Sequence, residues 1–238
     1  MADYLTLSNR VLHSLNEVEL TVANFANSKG IQTAVKEFIN RSVNDIYTAE
    51  LEWPFLHTDG TITTVAGTAE YALATGYKSV DVDTAYLIET STDIKIIPYI
   101  PYNQFTNQFR ERDLDPTTTD NRAKPEYFYL TQDDKIGLTP VPDKEYTFYY
   151  EYWATHTDLS ASTDEPAVPA RYQDIIVSRS EYYVHQLRSN IEAASMKHQE
   201  YEKKIERMRI DLINKPDYMR STAITSGSRS NTRHPKYF

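Results

Sequence analysis

Hydrophobic residues follow a helical period at both ends of this chain and a period of two between them. Near the N-terminus, apolar side chains recur three or four positions apart, at Ile31, Val35, Phe38, Ile39, Val43 and Ile46. One apolar stripe of this kind predicts an amphipathic helix over about 30–50. Ser28 is the expected helix cap, with Gly30 in the first turn. The helix must end before Trp53, because Pro54 disfavours helical backbone at the residue preceding it.

Between about residues 60 and 155, apolar side chains alternate with polar ones, which is the period of a β-strand. Seven segments follow this pattern: TITTV, AEYAL, AYLIET, DIKIIPYI, EYFYL, KIGLTPV and EYTFYYEYW. The last of them places on one face Tyr146, Phe148, Tyr150 and Tyr152. Asp133 and Asp134 predict a hairpin turn. Several short strands at this spacing predict a small antiparallel sandwich or barrel, with one or two helical turns and then a polar loop inserted over about 102–124.

The helical period returns after Pro169, a residue that suits a first helical turn. Apolar positions then continue to about residue 213, so we expect one long helix with a bend near EAAS. About 44 helical residues would span roughly 66 Å. The second half is highly charged. It is therefore either a solvated helix with pairs such as Glu200–Lys204 or a helix that packs on a neighbouring subunit.

These periods predict an α+β fold: a helical module, made of N-terminal helices and the long C-terminal helix, with an inserted antiparallel β-sandwich or barrel. Leu7, Val11, Leu12 and Leu15 predict a further short helix over about 5–16. The predicted parts are N-terminal helices over 1–58, a β domain over 59–155, a C-terminal helix over 156–213 that packs on 1–58, and an extended basic tail over 214–238.

Charge is distributed unevenly along the chain. The formal net charge is −9, but residues 214–238 contain five basic residues and one acidic residue, a local charge of +4. The remaining residues therefore carry −13, which disfavours sequence-independent binding of nucleic acid. A polar, basic segment interrupted by Pro216 and Pro235 predicts an interaction tail. No apolar run approaches the roughly 20 residues of a membrane span, and the N-terminal residues lack a secretory-signal pattern.

The sequence lacks the common catalytic motifs. With no cysteine, thiolate chemistry and Cys-ligated zinc are excluded. No phosphate-loop, dinucleotide-binding, zinc-protease or serine-hydrolase motif occurs. A calcium loop starting at Asp113 fails, because Thr118 and Lys124 replace the required Gly and Glu. The six histidines are dispersed. We therefore expect no catalytic residue, no cofactor and no metal site, although a carboxylate pair for glycoside hydrolysis could hide among the 34 acidic residues.

Five segments, spread over about residues 5–213, resemble the head-to-tail adaptor proteins of short-tailed bacteriophages, including the tail tubular A proteins. They are LSNRVLHSLNEV, AVKEFINRSVNDIYTAELEWPFL, TITTVAGTAEYAL, KPEYFYLTQDDKIGLTPVPDKEYTFYYEYWA and EPAVPARYQDIIVSRSEYYVHQLR. The resemblance implies a structural virion protein rather than an enzyme. It also implies a homo-oligomeric ring, commonly of twelve subunits, that docks under the portal protein and joins the capsid to a tail nozzle or to fibres. DNA would leave through the lumen without specific binding, and the ring would be assembled in the host cytoplasm.

The same resemblance suggests two interaction sites. The C-terminal segment of such adaptors reaches along the portal, so the expected portal-docking residues are Met219, Arg220, Ile224, Arg229, Arg233, Lys236, Tyr237 and Phe238. The β domain is the expected interface with the next tail component, through Asp113, Asp115, Asp120, Tyr127 and Tyr129. The 19 tyrosines suit either half-buried strand positions or protein interfaces. The alternatives are another tail-completion or fibre-attachment protein, or a cell-wall glycosidase.

Overall fold

In a computed structural model, which describes residues 1–90, 93–110 and 121–213, the chain has the predicted mixed α+β fold. The α-helices are α1 (Tyr4–Ser14), α2 (Val22–Phe25), α3 (Ile31–Ala49), α4 (Tyr102–Gln108), α5 (Asp174–Leu187) and α6 (Ile191–Leu212). The strands are β1 (His57–Thr63), β2 (Glu70–Ala72), β3 (Tyr77–Thr90), β4 (Asp93–Ile96), β5 (Tyr127–Leu130), β6 (Lys135–Thr139) and β7 (Thr147–Ala154). Each of the seven predicted strands is confirmed, as are the helices over about 5–16 and 30–50.

The start of α3 differs from the prediction. Gly30 is the residue that precedes the helix, with a positive φ of 57° and no side-chain cap. Ser28 lies two residues before the capping position of α3, and its carbonyl instead accepts a hydrogen bond from the Thr33 hydroxyl at 2.8 Å. Glycine suits this position because it adopts positive φ without a steric penalty. The segment between α1 and α3 also contains the short helix α2, capped by Thr21.

Helices α3 and α5 pack closely because two serines face each other at their contact. Ser42 and Ser180 are both fully buried, and their hydroxyls lie 3.0 Å apart. The Ser42 hydroxyl also donates to the carbonyl of Phe38 in the preceding turn of α3. The Ser180 hydroxyl donates in the same way to the carbonyl of Ile176 in α5. Small side chains let the two backbones approach while the buried polar atoms stay hydrogen-bonded. The apolar stripe alone could not identify this contact.

The prediction of one long C-terminal helix over 156–213 is wrong. The chain reverses after Leu187, because Ser189 has a positive φ of 57° and the Asn190 side chain caps the start of α6 by accepting from the Ala193 amide. Helix α6 therefore runs back along α5. Lys197 forms an ion pair with the buried Glu181 at 2.6 Å, and this pair joins the two helices. The predicted Glu200–Lys204 pair is present, at 2.6 Å.

The strands form two antiparallel sheets with the orders β1-β7-β3-β4 and β2-β6-β5. Their facing sides enclose one apolar core, and its fully buried members include Leu87, Phe128, Ile136, Leu138 and Phe148. The predicted alternation of β7 is confirmed, since Tyr146, Phe148 and Tyr150 are buried. Strand β3 bulges between Asp81 and Tyr86, which pair with Glu151 and Tyr149 respectively. A bulge of this kind bends the strand and redirects nearby side chains.

Each sheet contains a glycine covered by a tyrosine ring from the neighbouring strand. Gly60 pairs with Tyr150, and Gly137 pairs with Tyr129. A Cβ atom at Gly137 would lie 2.1–2.6 Å from the Tyr129 ring. The missing side chain is therefore what allows the ring to lie flat on the strand, an arrangement that compensates for the low strand propensity of glycine.

We expect Gly137→Ala to destabilise the protein by about 1–3 kcal/mol, the usual cost of overpacking a core. The Tyr129 ring cannot move away freely, because it is buried and stacks on Phe105 with the ring centroids 3.8 Å apart. Denaturant titration measures the loss. Gly30→Ala is a useful comparison, since a Cβ there would meet no atom within 4 Å and only the positive φ opposes it. An unchanged unfolding midpoint for Gly137→Ala would contradict this packing.

The C-terminus of α3 joins the helices to the sheets. The last four carbonyls of a helix lack partners within it. Here the Trp53 indole donates to the carbonyl of Ile46, Lys78 from β3 donates to that of Tyr47, and Arg209 from α6 donates to that of Ala49. Two of the three donors are cations, which the helix dipole favours at this end. The junction is therefore held by side chains from both parts of the fold. No helix in the described ranges has the length and apolar character needed to cross a membrane.

Candidate interaction surfaces

The residues predicted to dock on the portal lie outside the described residues. This holds for Met219, Arg220, Ile224, Arg229, Arg233, Lys236, Tyr237 and Phe238, and for three acidic residues of the predicted tail-component interface, Asp113, Asp115 and Asp120. Their roles stay predictions. Helix α6 ends beside the C-terminus of α3, where Arg209 pairs with Glu50.

The two tyrosines of the predicted tail-component interface have different environments. Tyr129 is buried, because its ring lies between Phe105 of α4 and Gly137 of β6. Tyr127 is only partly buried, with its ring 5.5 Å from that of Phe109. Within the isolated chain, Tyr127 is thus the more available of the two for a partner. Tyr129 holds α4 against the sheet.

A group of four charges fixes the chain just after the segment 111–120. Lys124 pairs with Glu89 at 2.9 Å and with Asp93 at 2.6 Å, and Lys144 pairs with Glu89. Hydrogen bonds from Lys144 and then Lys124 lower the pKa of Glu89 to about 2. Glu89 is therefore ionised throughout the neutral range. This group ties Lys124 to the edge of the four-stranded sheet.

The end of the helical module farthest from the sheets exposes aliphatic side chains. At the α5–α6 turn, Leu187 is 58 % exposed and Ile191 is 82 % exposed. The Glu17–Arg188 ion pair places the loop between α1 and α2 at the same end, and that loop carries the exposed Val18. We call this surface the apolar end: Val18, Leu187 and Ile191. Grouped exposed aliphatic residues are typical of a protein-binding surface.

A groove of about 570 Å³ lies beside the apolar end, and its lining residues are Tyr182, Gln186, Ser189, Ile191, Ala194, Ser195 and His198. The helices on either side are well braced. The Arg179 Nε atom lies 2.6 Å from Asp45 of α3, and its guanidinium lies over the rings of Tyr183 and Tyr201. Burial raises the pKa of Tyr201 to about 12, so its hydroxyl stays neutral. The surface is therefore presented by a rigid support.

One cluster of possible metal ligands lies on the outer face of the four-stranded sheet, while the expectation of no metal site stays a prediction. The His57 Nε2 atom lies 3.4 Å from a carboxylate oxygen of Asp81 and 3.4 Å from one of Glu151. The three residues belong to β1, β3 and β7. Within the residues that the structure describes, this is the cluster that meets the geometric requirement for a metal site.

The expectations of no catalytic residue and no cofactor stay predictions. The cavity at the junction of the two parts, about 430 Å³, is lined mainly by Tyr47, Phe55, Leu56, His156, Leu159 and Pro166. Burial lowers the pKa of His156, so this imidazole is neutral at pH 7. The nearest carboxylate to His156 is that of Asp158, at 3.2 Å, and it is exposed. This arrangement resembles ordinary junction packing.

A scan against protein-family models matches the SU10 adaptor protein family over residues 2–227. No curated protein matches the chain. The match covers nearly all of the described residues and extends into the basic tail. It confirms the general expectation of a phage adaptor, a structural protein of the virion neck, while the closer likeness to tail tubular A proteins stays a prediction. The chain belongs to the SU10 adaptor protein family, a family of phage adaptors.

Proposed function

We propose that this protein forms a homo-oligomeric ring, of twelve subunits in the commonest arrangement, between the portal and the tail. In this proposal the ring docks under the portal, joins the capsid to a nozzle or to fibres, and lines the channel through which DNA leaves. The observation that carries the proposal is the family match over residues 2–227, because it includes both folded parts and the beginning of the tail. The ring would be assembled in the host cytoplasm.

Charge supports a role in DNA passage without DNA binding. Residues outside the basic tail carry −13. A negative surface repels the phosphate backbone and offers few cations to replace its counterions. A channel lined by such a surface would let DNA slide past without retaining it.

The apolar end supports a contact between protein chains. Ile191 and Leu187 project from a rigid helical turn and are largely exposed in the single chain. Covering aliphatic surface of this kind stabilises an interface by roughly 25 cal/mol for each Å² removed from water. We propose that the apolar end contacts a neighbouring subunit or the portal in the assembled ring. The α4–β5 side, with Tyr127, would face the next tail component.

We expect Ile191→Asp to weaken assembly at least tenfold without unfolding the chain. Ile191 is the first residue of α6, where a carboxylate is favoured by the helix dipole. In an assembled interface the same carboxylate would lose its water, which costs several kcal/mol. Sedimentation velocity of the protein with and without portal rings measures assembly, and circular dichroism checks the fold.

Val65→Asp is the matched control, because Val65 is 59 % exposed and lies in the loop after β1, away from the apolar end. That variant should assemble like the wild type. If Ile191→Asp assembled as well as the wild type, the apolar end would not be part of the interface. That result would leave the ring itself to be tested by other means.

A further inference from the structure

The outer face of the four-stranded sheet carries a row of three carboxylates on adjacent strands. Glu151 of β7 pairs directly with Asp59 of β1 on one side and with Asp81 of β3 on the other. Like charges directly opposite each other on neighbouring strands are destabilising. In the described part of the chain, no Lys or Arg forms an ion pair with any of the three. The basic side chain that the described residues place beside this row is that of His57.

His57 does not hydrogen-bond to these carboxylates with its Nε2 atom. That atom is inaccessible to water and has no hydrogen-bond partner, although a carboxylate oxygen lies 3.4 Å away on each side. A buried polar nitrogen without a partner is costly. The Nε2 atom faces two carboxylates but has good hydrogen-bond geometry to neither of them. A cation shared by the three groups would explain this arrangement.

The spacing of the three atoms fits a zinc-type ion. Zinc binds imidazole nitrogen and carboxylate oxygen at about 2.0–2.2 Å, in tetrahedral geometry. The edge of such a tetrahedron is about 3.4 Å for bonds of 2.1 Å. Both measured distances from His57 Nε2 have this value, and all three ligand atoms lie within 4.8 Å of one another.

Neighbouring groups orient the ligands. The other carboxylate oxygen of Asp81 accepts from the amide of Asp83 at 3.2 Å, inside the β3 bulge. The Thr84 hydroxyl in the same bulge accepts from the Glu151 amide at 3.1 Å. The His57 ring lies against Trp153, with the ring centroids 4.9 Å apart. Outer contacts of this kind fix the orientation of metal ligands and affect affinity strongly.

We propose that His57, Asp81 and Glu151 bind one divalent transition-metal ion, with Zn²⁺ as the best fit, and that the ion braces β1, β7 and β3 beside the junction with the helices. Three protein ligands leave a fourth position for water or for a group from a partner. The role is structural: the ion neutralises the carboxylates and links three strands. This inference does not depend on the proposed function.

The test is equilibrium dialysis of the full chain, free of any purification tag and stripped of metal with a chelator, against Zn²⁺ alone. We expect one ion per chain, held in competition with a weak chelator. The variants Asp81→Asn and Glu151→Gln keep side-chain volume, so the fold should survive. Each should weaken binding at least 100-fold, more than the 10–100-fold that outer contacts provide. His198→Ala is the control, because His198 is close to one carboxylate only.

Two further measurements identify the site. Zn²⁺ should raise the thermal unfolding midpoint of the wild type and of His198→Ala, and leave that of His57→Ala unchanged. Co²⁺ bound in place of zinc should show the intense visible bands of tetrahedral coordination, and Glu151→Gln should lose them. If the wild type bound Zn²⁺ no more strongly than Asp81→Asn does, the proposal would be overturned. The cluster would then be a simple histidine–carboxylate contact. Tight binding that survives all three ligand variants would also overturn it, because the ion would be held elsewhere.

Discussion

Replacing Trp53 with alanine is expected to reduce the free energy of unfolding by about 3–5 kcal/mol, the largest loss we predict for any single substitution in this chain. Trp53 is fully buried in the helical core and stacks on Phe55, with the ring centroids 5.5 Å apart. Its indole nitrogen also donates to the Ile46 carbonyl at 2.7 Å. The substitution would leave a cavity and also an unsatisfied carbonyl at the end of α3.

Trp53→Phe separates these two contributions, because it keeps much of the ring volume and removes only the hydrogen bond. We expect a smaller loss, of about 1–3 kcal/mol. Phe38→Ala should likewise cost less than Trp53→Ala, since Phe38 is only partly buried beside Tyr183 rather than in the core that its stripe position predicts. Denaturant titration of the three variants measures the loss in the free energy of unfolding for each and so gives their order. A loss below about 1 kcal/mol for Trp53→Ala would show that the junction does not depend on the indole.

Removing residues 214–238 is expected to abolish stable docking on the portal while leaving a folded protein. Within the described residues, the helical core extends to Met208 and Leu212 of α6, and the truncation keeps both side chains. The tail carries +4 and could extend by roughly 80 Å if fully stretched. Its charge should speed encounter with an acidic partner, and its apolar residues should hold the contact: Met219, Ile224, Tyr237 and Phe238.

The matched variant neutralises the four basic residues Arg220, Arg229, Arg233 and Lys236 and keeps the tail. It should bind more weakly or more slowly than the wild type, but less weakly than the truncated chain. The difference in portal binding between this variant and the wild type should become smaller as salt screens the charges. Co-sedimentation with portal rings at two salt concentrations measures both effects. Undiminished docking by the truncated protein would show that another surface holds the portal.

The sequence predicts the kinds of element well, because each has a strong local period. The seven strands, the extent of α3 and its end before Trp53 follow from alternation, from the apolar stripe and from Pro54. The reversal at Ser189 was missed, because serine at positive φ is uncommon and the helical stripe continues across the turn. The Gly137–Tyr129 contact likewise depends on strand register, which hydrophobic alternation alone does not specify here.

The candidate sites were less predictable than the fold. His57, Asp81 and Glu151 are far apart in sequence, and they meet only because β7 pairs with both β1 and β3. A search of the alternating strands for histidine and acids on one face could have suggested the group, but the β3 bulge that positions Asp81 has no clear sequence signal. The apolar end cannot be recognised from the sequence, because Leu187 and Ile191 fit the apolar stripe of a single helix. Tyr129 was expected on a surface, and the structure buries it under α4.

The central claim is that this phage adaptor forms a ring between the portal and the tail. Electron cryo-microscopy of intact virions tests it most directly, because the fold of each neck subunit can be compared with the paired α5–α6 helices and the seven-stranded sandwich. The account predicts a ring of this chain immediately below the portal, with the C-terminal residues lying along portal subunits and the apolar ends covered by protein. A neck ring built from a different fold, with this chain found elsewhere in the particle or absent from it, would contradict the account.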